Sequence, residues 1–281
     1  MKHVFTLAIC SLIQINIFSQ GILVQQDKDA NTLPQKHKNI IGIVGAFETE
    51  VQLLKDSLLQ EKDTTIEGIH FYVGKLKHQP IVIARSGIGK VNAAITLTIL
   101  IEHFNPKYIL FSGIAGAMNP LLQPGDIVIA KKIAYHDYGR NTTTGFIERP
   151  TFNPYNFKAN PITFQSDSLL LAACQKAVQK ISLQKIQTEK PKIIIGKIIT
   201  GDIFLANTQL NKQLRTQFKA DAIEMEGAAI AQVCYQKNTP FIIIRSISDT
   251  ANDSAVLDFE KYGKIAAENS ASLLLTMLEL L

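Results

Sequence analysis

The chain is short of the features that mark several common protein classes. It has three cysteines in 281 residues. Cys10 lies in an apolar N-terminal stretch, while Cys174 and Cys234 sit in helix-like apolar patterns and are expected as buried thiols. Two such thiols make no disulfide framework, and no His/Cys spacing has the rhythm of a metal site, so no metal is expected. Runs of basic residues are missing too. The formal net charge is +5, but the lysines are scattered, which reads as a solvated surface and gives no sign of nucleic-acid binding. No internal repeat is visible. The apolar stretch at residues 4–18 is too short to span a bilayer and is broken by Ser11, Gln14 and Asn16.

That stretch has another meaning. Lys2 and His3 precede it as a short basic start, and Ser19-Gln20-Gly21 follow it. This is the layout of a secretory signal peptide over residues 1–20. Residues 21–38, with Gln25, Gln26, Asp27, Lys28, Asp29 and Asn31, read as a disordered linker. The protein is therefore expected to be exported, periplasmic or extracellular, with no membrane contact once the signal is removed. A cytoplasmic protein is the alternative. The folded domain is expected over residues 39–281. With 46% hydrophobic residues it suits one large α/β domain.

Strand-like and helix-like segments alternate along that domain. Residues 40–46 are a continuous apolar run, which reads as a buried parallel strand. A helix is predicted over 48–59, strands over 69–73 and 80–84, a helix over 92–104, and strands over 108–111 and 126–134. Then come a helix over 168–181, a strand over 193–200, a helix over 207–218, a strand over 221–225, a helix over 227–235, a strand over 241–247 and a closing helix over 257–281. Residues 86–90 and 112–117 read as small-residue turns, and 139–165 as a long loop of the kind that is often functional. The alternation argues for one α/β sheet with helices on both faces.

Three acidic runs stand out: Gly42-Ile43-Val44-Gly45-Ala46-Phe47-Glu48-Thr49-Glu50, Glu224-Met225-Glu226-Gly227-Ala228-Ala229 and Arg245-Ser246-Ile247-Ser248-Asp249. Each places acids at the end of a strand, where open α/β sheets bind ligands. Three acids on three strand ends suggest acid/base chemistry on a polar small molecule. Glu224 and Glu226 share a face if the strand runs through both, and would then repel and raise one pKa. A turn between them would separate them. One is expected to pair with Arg245 and the other to bind ligand, since a carboxylate can accept two hydrogen bonds from a vicinal diol such as a ribose. A purely structural Glu–Arg pair at the sheet edge is the alternative.

Further runs carry a resemblance. They are Ser86-Gly87-Ile88-Gly89-Lys90-Val91, Gly113-Ile114-Ala115-Gly116, Pro124-Gly125-Asp126-Ile127-Val128, Tyr135-His136-Asp137 and Gly201-Asp202-Ile203-Phe204. With the acidic runs, in this order over residues 39–281, the chain resembles the methylthioadenosine/S-adenosylhomocysteine nucleosidases of the purine nucleoside phosphorylase superfamily. The resemblance implies a single-domain phosphorylase/hydrolase-like fold with a mixed central sheet and no cofactor. It implies hydrolysis of the N-glycosidic bond of an adenine nucleoside, giving adenine and a 5-thio-ribose.

Carried over by position, Asp249 would protonate N7 of the leaving adenine and Glu50 would activate the attacking water. Glu226 would hold the ribose hydroxyls and Met225 would line the ribose. Phe204 would stack on the base, and the Leu205 backbone would bond its edge. Arg245 would orient the acids, and Ser248 would support Asp249. Ile114, Ala115 and Gly116 would face the substrate, with Ile114 where a serine is common. Phe47, Ile88 and Phe259 would form the apolar pocket for the thioether, with Phe47 where many members have methionine. The resemblance also implies a homodimer in which a partner loop can complete the pocket, and metabolism of methylation by-products, as in methionine salvage.

The chemistry needs the same residue types. Adenine leaves poorly as an anion and well when protonated, so an acid with a raised pKa belongs at the base. An ionised carboxylate belongs at the sugar, where an oxocarbenium-like state develops. Glu50 would repel phosphate, so water is favoured as acceptor, although Arg85 and Lys90 flank the first glycine turn and either contact phosphate or face solvent. The alternatives are a purine nucleoside phosphorylase or a nucleosidase for another purine nucleoside, and, from a different class, a non-catalytic nucleoside-binding protein. Within the 139–165 loop, Tyr155 and Phe157 either shape substrate choice or belong to an inert insertion. His136 is expected to be structural, near a subunit interface.

Overall fold

A computed structural model describes residues 39–186 and 190–281. The signal peptide and linker expected over 1–38 lie outside the described residues. The elements follow in chain order: β1 (Ile41–Gly45), α1 (Glu48–Asp56), β2 (Leu59–Ile66), β3 (Ile69–Leu76), β4 (Gln79–Arg85), α2 (Lys90–Phe104), β5 (Tyr108–Ala117) and β6 (Ile127–Tyr135). Next come β7 (Gly139–Thr142), β8 (Gly145–Glu148), β9 (Thr163–Gln165), α3 (Ser168–Val178), β10 (Ile193–Thr200) and α4 (Thr208–Phe218). The chain closes with β11 (Ala222–Glu224), α5 (Gly227–Lys237), β12 (Phe241–Asp249) and α6 (Ala255–Leu278).

Among the described residues ten strands form one mixed sheet in the order β11-β10-β6-β12-β5-β1-β4-β3-β2, with β9 beside β6. β11 also pairs antiparallel with β5, so β11, β10, β6, β12 and β5 close into a ring. Strand alternation decides which helices cover which face. Val44, Val82, Ala84 and Ile243 pack with α2 and α5. Their neighbours Ile43, Ile81, Ile83, Ile242 and Ile244 pack with α1, α3 and α6. Each fully buried aliphatic side chain of this kind contributes roughly 2 kcal/mol. The mixed sheet with helices on both faces is as the sequence predicted. Cys174 and Cys234 are free and buried.

Four expectations are corrected. The first helix ends at Asp56, and β2 follows it. Its residues Leu-Gln-Glu-Lys-Asp-Thr-Thr-Ile are mostly exposed, because it is an edge strand that pairs only with β3, so it lacks the apolar signal of a buried strand. The run 112–117 is not a turn: it is the second half of β5, buried throughout. Its small residues make room for side chains from other elements. The 139–165 segment is not a continuous loop, since it holds the β7–β8 hairpin and β9. The strand over 221–225 stops at Glu224, and Glu226 is the N-cap of α5.

Candidate active site

Three strand ends meet at one cavity of about 270 Å³. β1 leads into α1, whose first turn carries Glu50. This carboxylate is buried and held by backbone donors. Oε2 accepts from the N–H of Ala46 at 2.5 Å and more weakly from Phe47, and Oε1 accepts from the N–H of Ile114 at 2.9 Å. Burial pushes the Glu50 carboxyl up, while Arg245 and the three backbone donors pull against that rise.

β11 ends at Glu224, and the chain turns there into α5. Glu224 Oε2 accepts from the N–H groups of Glu226 and Gly227 at 3.1 and 2.7 Å, and Thr200 donates its hydroxyl to Oε1. The same hydroxyl oxygen accepts from the N–H of Ala228 at 2.8 Å. The otherwise orphaned amides at the start of α5 are thus satisfied by a carboxylate and a hydroxyl from neighbouring strands. Glu226 follows with Oε1 accepting from the N–H of Gly89 at 2.8 Å. Burial first, and then the Glu224 charge, push its carboxyl up to about 8.

β12 supplies the remaining two groups. Arg245 is fully buried, with its guanidinium 4.0 Å from the Phe111 ring centroid. Nη2 donates to Glu224 Oε2 at 2.5 Å and lies 3.4 Å from Glu226, and Nη1 lies 3.7 Å from Glu50. Burial opposes its charge, but the three glutamates outweigh burial and hold its pKa above the ordinary value. Both sequence readings of the glutamate pair are therefore partly realised. A turn separates Glu224 from Glu226, yet both reach one arginine. Glu224 is the tight partner, and Glu226 is left with an edge toward the cavity.

At the end of β12 the pairing with β5 jumps from Ile247–Ala115 to Asp249–Gly116, which leaves Ser248 as an extra residue. Such a bulge re-aims the side chain that follows it, and Asp249 lines the cavity. Its Oδ2 accepts from the Ser248 hydroxyl and its Oδ1 from the N–H of Ala251, both at 2.8 Å. Burial raises the Asp249 carboxyl in spite of these two donors.

The structure brings the predicted residues together. Phe47, Glu50, Ile88, Ile114, Ala115, Gly116, Phe204, Leu205, Met225, Glu226, Ser248, Asp249 and Phe259 all line this cavity. Arg245 does not. It lies behind the acids and pairs with them. Phe259 bridges the rings of Phe47 and Phe204, with centroids 6.2 and 5.9 Å away, so one side of the cavity is an aromatic wall. Phe204 is 45% exposed, which leaves a ring face for a flat ligand.

Sequence reasoning missed Ile203 and Ile223, which are lining residues without a polar signal. It also missed Thr200 and gave Gly113 no role of its own. A Cβ on Gly113 would overlap Arg245 and Glu50. Only long-range packing reveals that requirement. His136 is buried and packs beneath Gly201, apart from the cavity lining, in keeping with a structural role.

Two buried carboxyl groups, Glu50 and Asp249, both raised by burial and both accepting backbone N–H groups, line one cavity beside an aromatic wall, the equipment of an acid/base enzyme for a small polar ring system. Comparison with known proteins narrows the class. Residues 40–279 match the family model of the phosphorylase superfamily, and the chain belongs to that family. It is 37% identical over 242 residues to a 5′-methylthioadenosine/S-adenosylhomocysteine nucleosidase of Marinomonas sp. (strain MWYL1), covering 86% of this chain and 99% of that one. The Colwellia psychrerythraea 34H nucleosidase in complex with adenine superposes with a TM-score of 0.75 at 37% identity, covering 87% of this chain and 96% of the other. The Neisseria meningitidis nucleosidase in complex with methylthio-immucillin-A gives 0.75 at 32% identity, with 86% and 100% covered.

Proposed function

We propose that this protein is an N-glycosyl hydrolase acting on 5′-methylthioadenosine and S-adenosylhomocysteine-type adenine nucleosides, releasing adenine and a 5-thio-ribose. The observation that carries the reading is the cavity itself. It presents Asp249 and Glu50 together, and none of its lining residues among those described is lysine, arginine or histidine. Asp249, whose carboxyl is raised by burial, gives its proton to N7 of the base. The N-glycosidic bond breaks with its electron pair leaving on the neutral adenine. Glu50 takes a proton from the water that attacks the anomeric carbon. Glu226 accepts from the ribose hydroxyls, and Phe204 stacks on the base.

The two cations that could have served phosphate are engaged elsewhere. Arg85 pairs with Glu48 at 3.0 Å on the surface, and Lys90 pairs with Asp137 at 2.6 Å. This favours water over phosphate as acceptor. The test is adenine release from methylthioadenosine in phosphate-free buffer, with Asp249→Asn as control. Release that begins only when phosphate is added overturns the hydrolase reading. Tight adenosine binding without release points to a binding protein.

A homodimer and export belong to the same reading. Val91 and Ile95 are exposed on α2, close in sequence to Ile88 of the cavity, and a second copy would cover that stripe. A sedimentation experiment giving only monomer at micromolar concentration removes the dimer. Export predicts a mature protein that starts near residue 21 and acts on nucleosides outside the cytoplasm. Recovery only from cytoplasm with Met1 retained sinks it.

A further inference from the structure

Lys90 opens α2, and its ammonium meets two carboxylates. Nζ donates to Asp137 Oδ2 at 2.6 Å and lies 3.5 Å from Asp202 Oδ2. The Lys90 backbone N–H donates to Asp202 Oδ1 at 2.9 Å, and the Asp202 N–H donates to Asp137 Oδ2 at 3.0 Å. Three segments far apart in sequence are thus pinned at one point: the glycine turn after β4, the end of β6, and the strip that follows β10. The Lys90 and Asp137 side chains are only 22% and 21% exposed, so water screens this pair less than it would a surface pair.

None of the three residues lines the cavity, but each connection ends on a residue that does. Next to Lys90, Gly89 donates its N–H to Glu226 Oε1. It does so from a backbone with φ of +94°, where a side chain would be strained. Directly after Asp202 come Ile203, Phe204 and Leu205, all lining the cavity. This strip belongs to no helix or strand. Ile203 and Phe204 are about half exposed, at 47% and 45%, so packing alone does not hold them. The Asp202 bonds fix the strip at one end, and the burial of Leu205 fixes it at the other.

We propose that Lys90, Asp137 and Asp202 form an ionic clip of positioning residues that joins the sugar side of the site to its base side. The clip aims the Gly89 N–H at the carboxylate that takes the ribose hydroxyls. It also holds the strip carrying Phe204 over the base. A displacement of about 1 Å at either place is enough to cost roughly a hundredfold in rate. The clip rests on the nucleosidase reading.

The test compares Lys90→Met, Asp202→Asn, their double variant and the conservative Lys90→Arg in the full-length protein. It reads KM and kcat for adenine release from methylthioadenosine, adenine affinity by calorimetry, and Tm. Lys90→Met and Asp202→Asn should each raise KM and weaken adenine binding by about tenfold or more, lower kcat, and shift Tm little. Lys90→Arg should restore most of the loss. The double variant should be no worse than the worse single one, because the groups act as one unit. Unchanged KM and adenine affinity overturn the clip. Losses that add in the double variant and simply follow Tm overturn it as well. If the wild type binds adenine but releases none, the nucleosidase reading fails, and the adenine affinities still decide the clip. A wild type that neither releases nor binds adenine overturns both.

Discussion

Asp249 shows how the site works at the scale of one residue. It is an ordinary aspartate until the bulge at Ser248 turns it into the cavity and burial raises its pKa. Asp249→Asn keeps the shape and removes the proton. The expected loss in kcat is about 10²- to 10⁴-fold with Tm little changed, read by adenine release and thermal melting. On the proposed mechanism the proton must be present for the base to leave, so activity should fall as pH rises through the raised pKa of this group. A rate that instead climbs steadily into alkali would remove Asp249 from the role of acid. Gly113 is the opposite case, a residue whose lack of a side chain is its contribution. Gly113→Ala should abolish activity and lower Tm together, because the added methyl group displaces the Arg245–Glu50 contact and leaves buried charge poorly paired. Wild-type activity in this variant would show that the site can yield there. The acids were legible in the sequence because polar residues at strand ends break an apolar run. Gly113 was not, because a glycine in a small-residue run reads as a turn whether it bends the chain or makes room for an arginine from another strand.

At the scale of elements, the strength of each signal followed burial. β1 and β12 are buried along their whole length, and β1 and the first four residues of β12 are apolar runs in the sequence. β2 carries a pattern set mostly by solvent and was invisible. The hairpin of β7 and β8 is short and largely exposed, so nothing local separates it from a loop. Helix starts were better marked. Asp167 caps α3, accepting from the N–H groups of Leu169 and Leu170 at 2.9 and 3.0 Å. Asp167→Ala should cost about 1 kcal/mol in a denaturant titration. It should leave KM and kcat for adenine release unchanged, because this cap lies outside the cavity lining. The start of α5 is capped by Glu224, three residues before Gly227, and by Thr200 from β10, and no local pattern announces the Thr200 half.

The whole molecule answers to pH through its buried acids. Glu226 is raised to about 8 from 4.5. An acid with a raised folded pKa binds its proton more tightly when folded, so its contribution is present below the ordinary carboxylate value and is lost as pH rises through the folded one. Stability should therefore decline between about pH 5 and about pH 8, and Glu226→Gln should flatten that slope in melting experiments. An equal slope in wild type and variant would place the titration elsewhere. What the sequence by itself determined was the alternation of strands and helices, the acids at three strand ends and the family pattern, because these depend on residues close together in the chain. Tertiary structure alone decided which glutamate takes Arg245, how the bulge turns Asp249, where β11 closes the sheet onto β5, and how Lys90 reaches Asp137 and Asp202. Each of these is a contact between segments tens of residues apart, set by the register of packed strands, and local sequence carries no record of register.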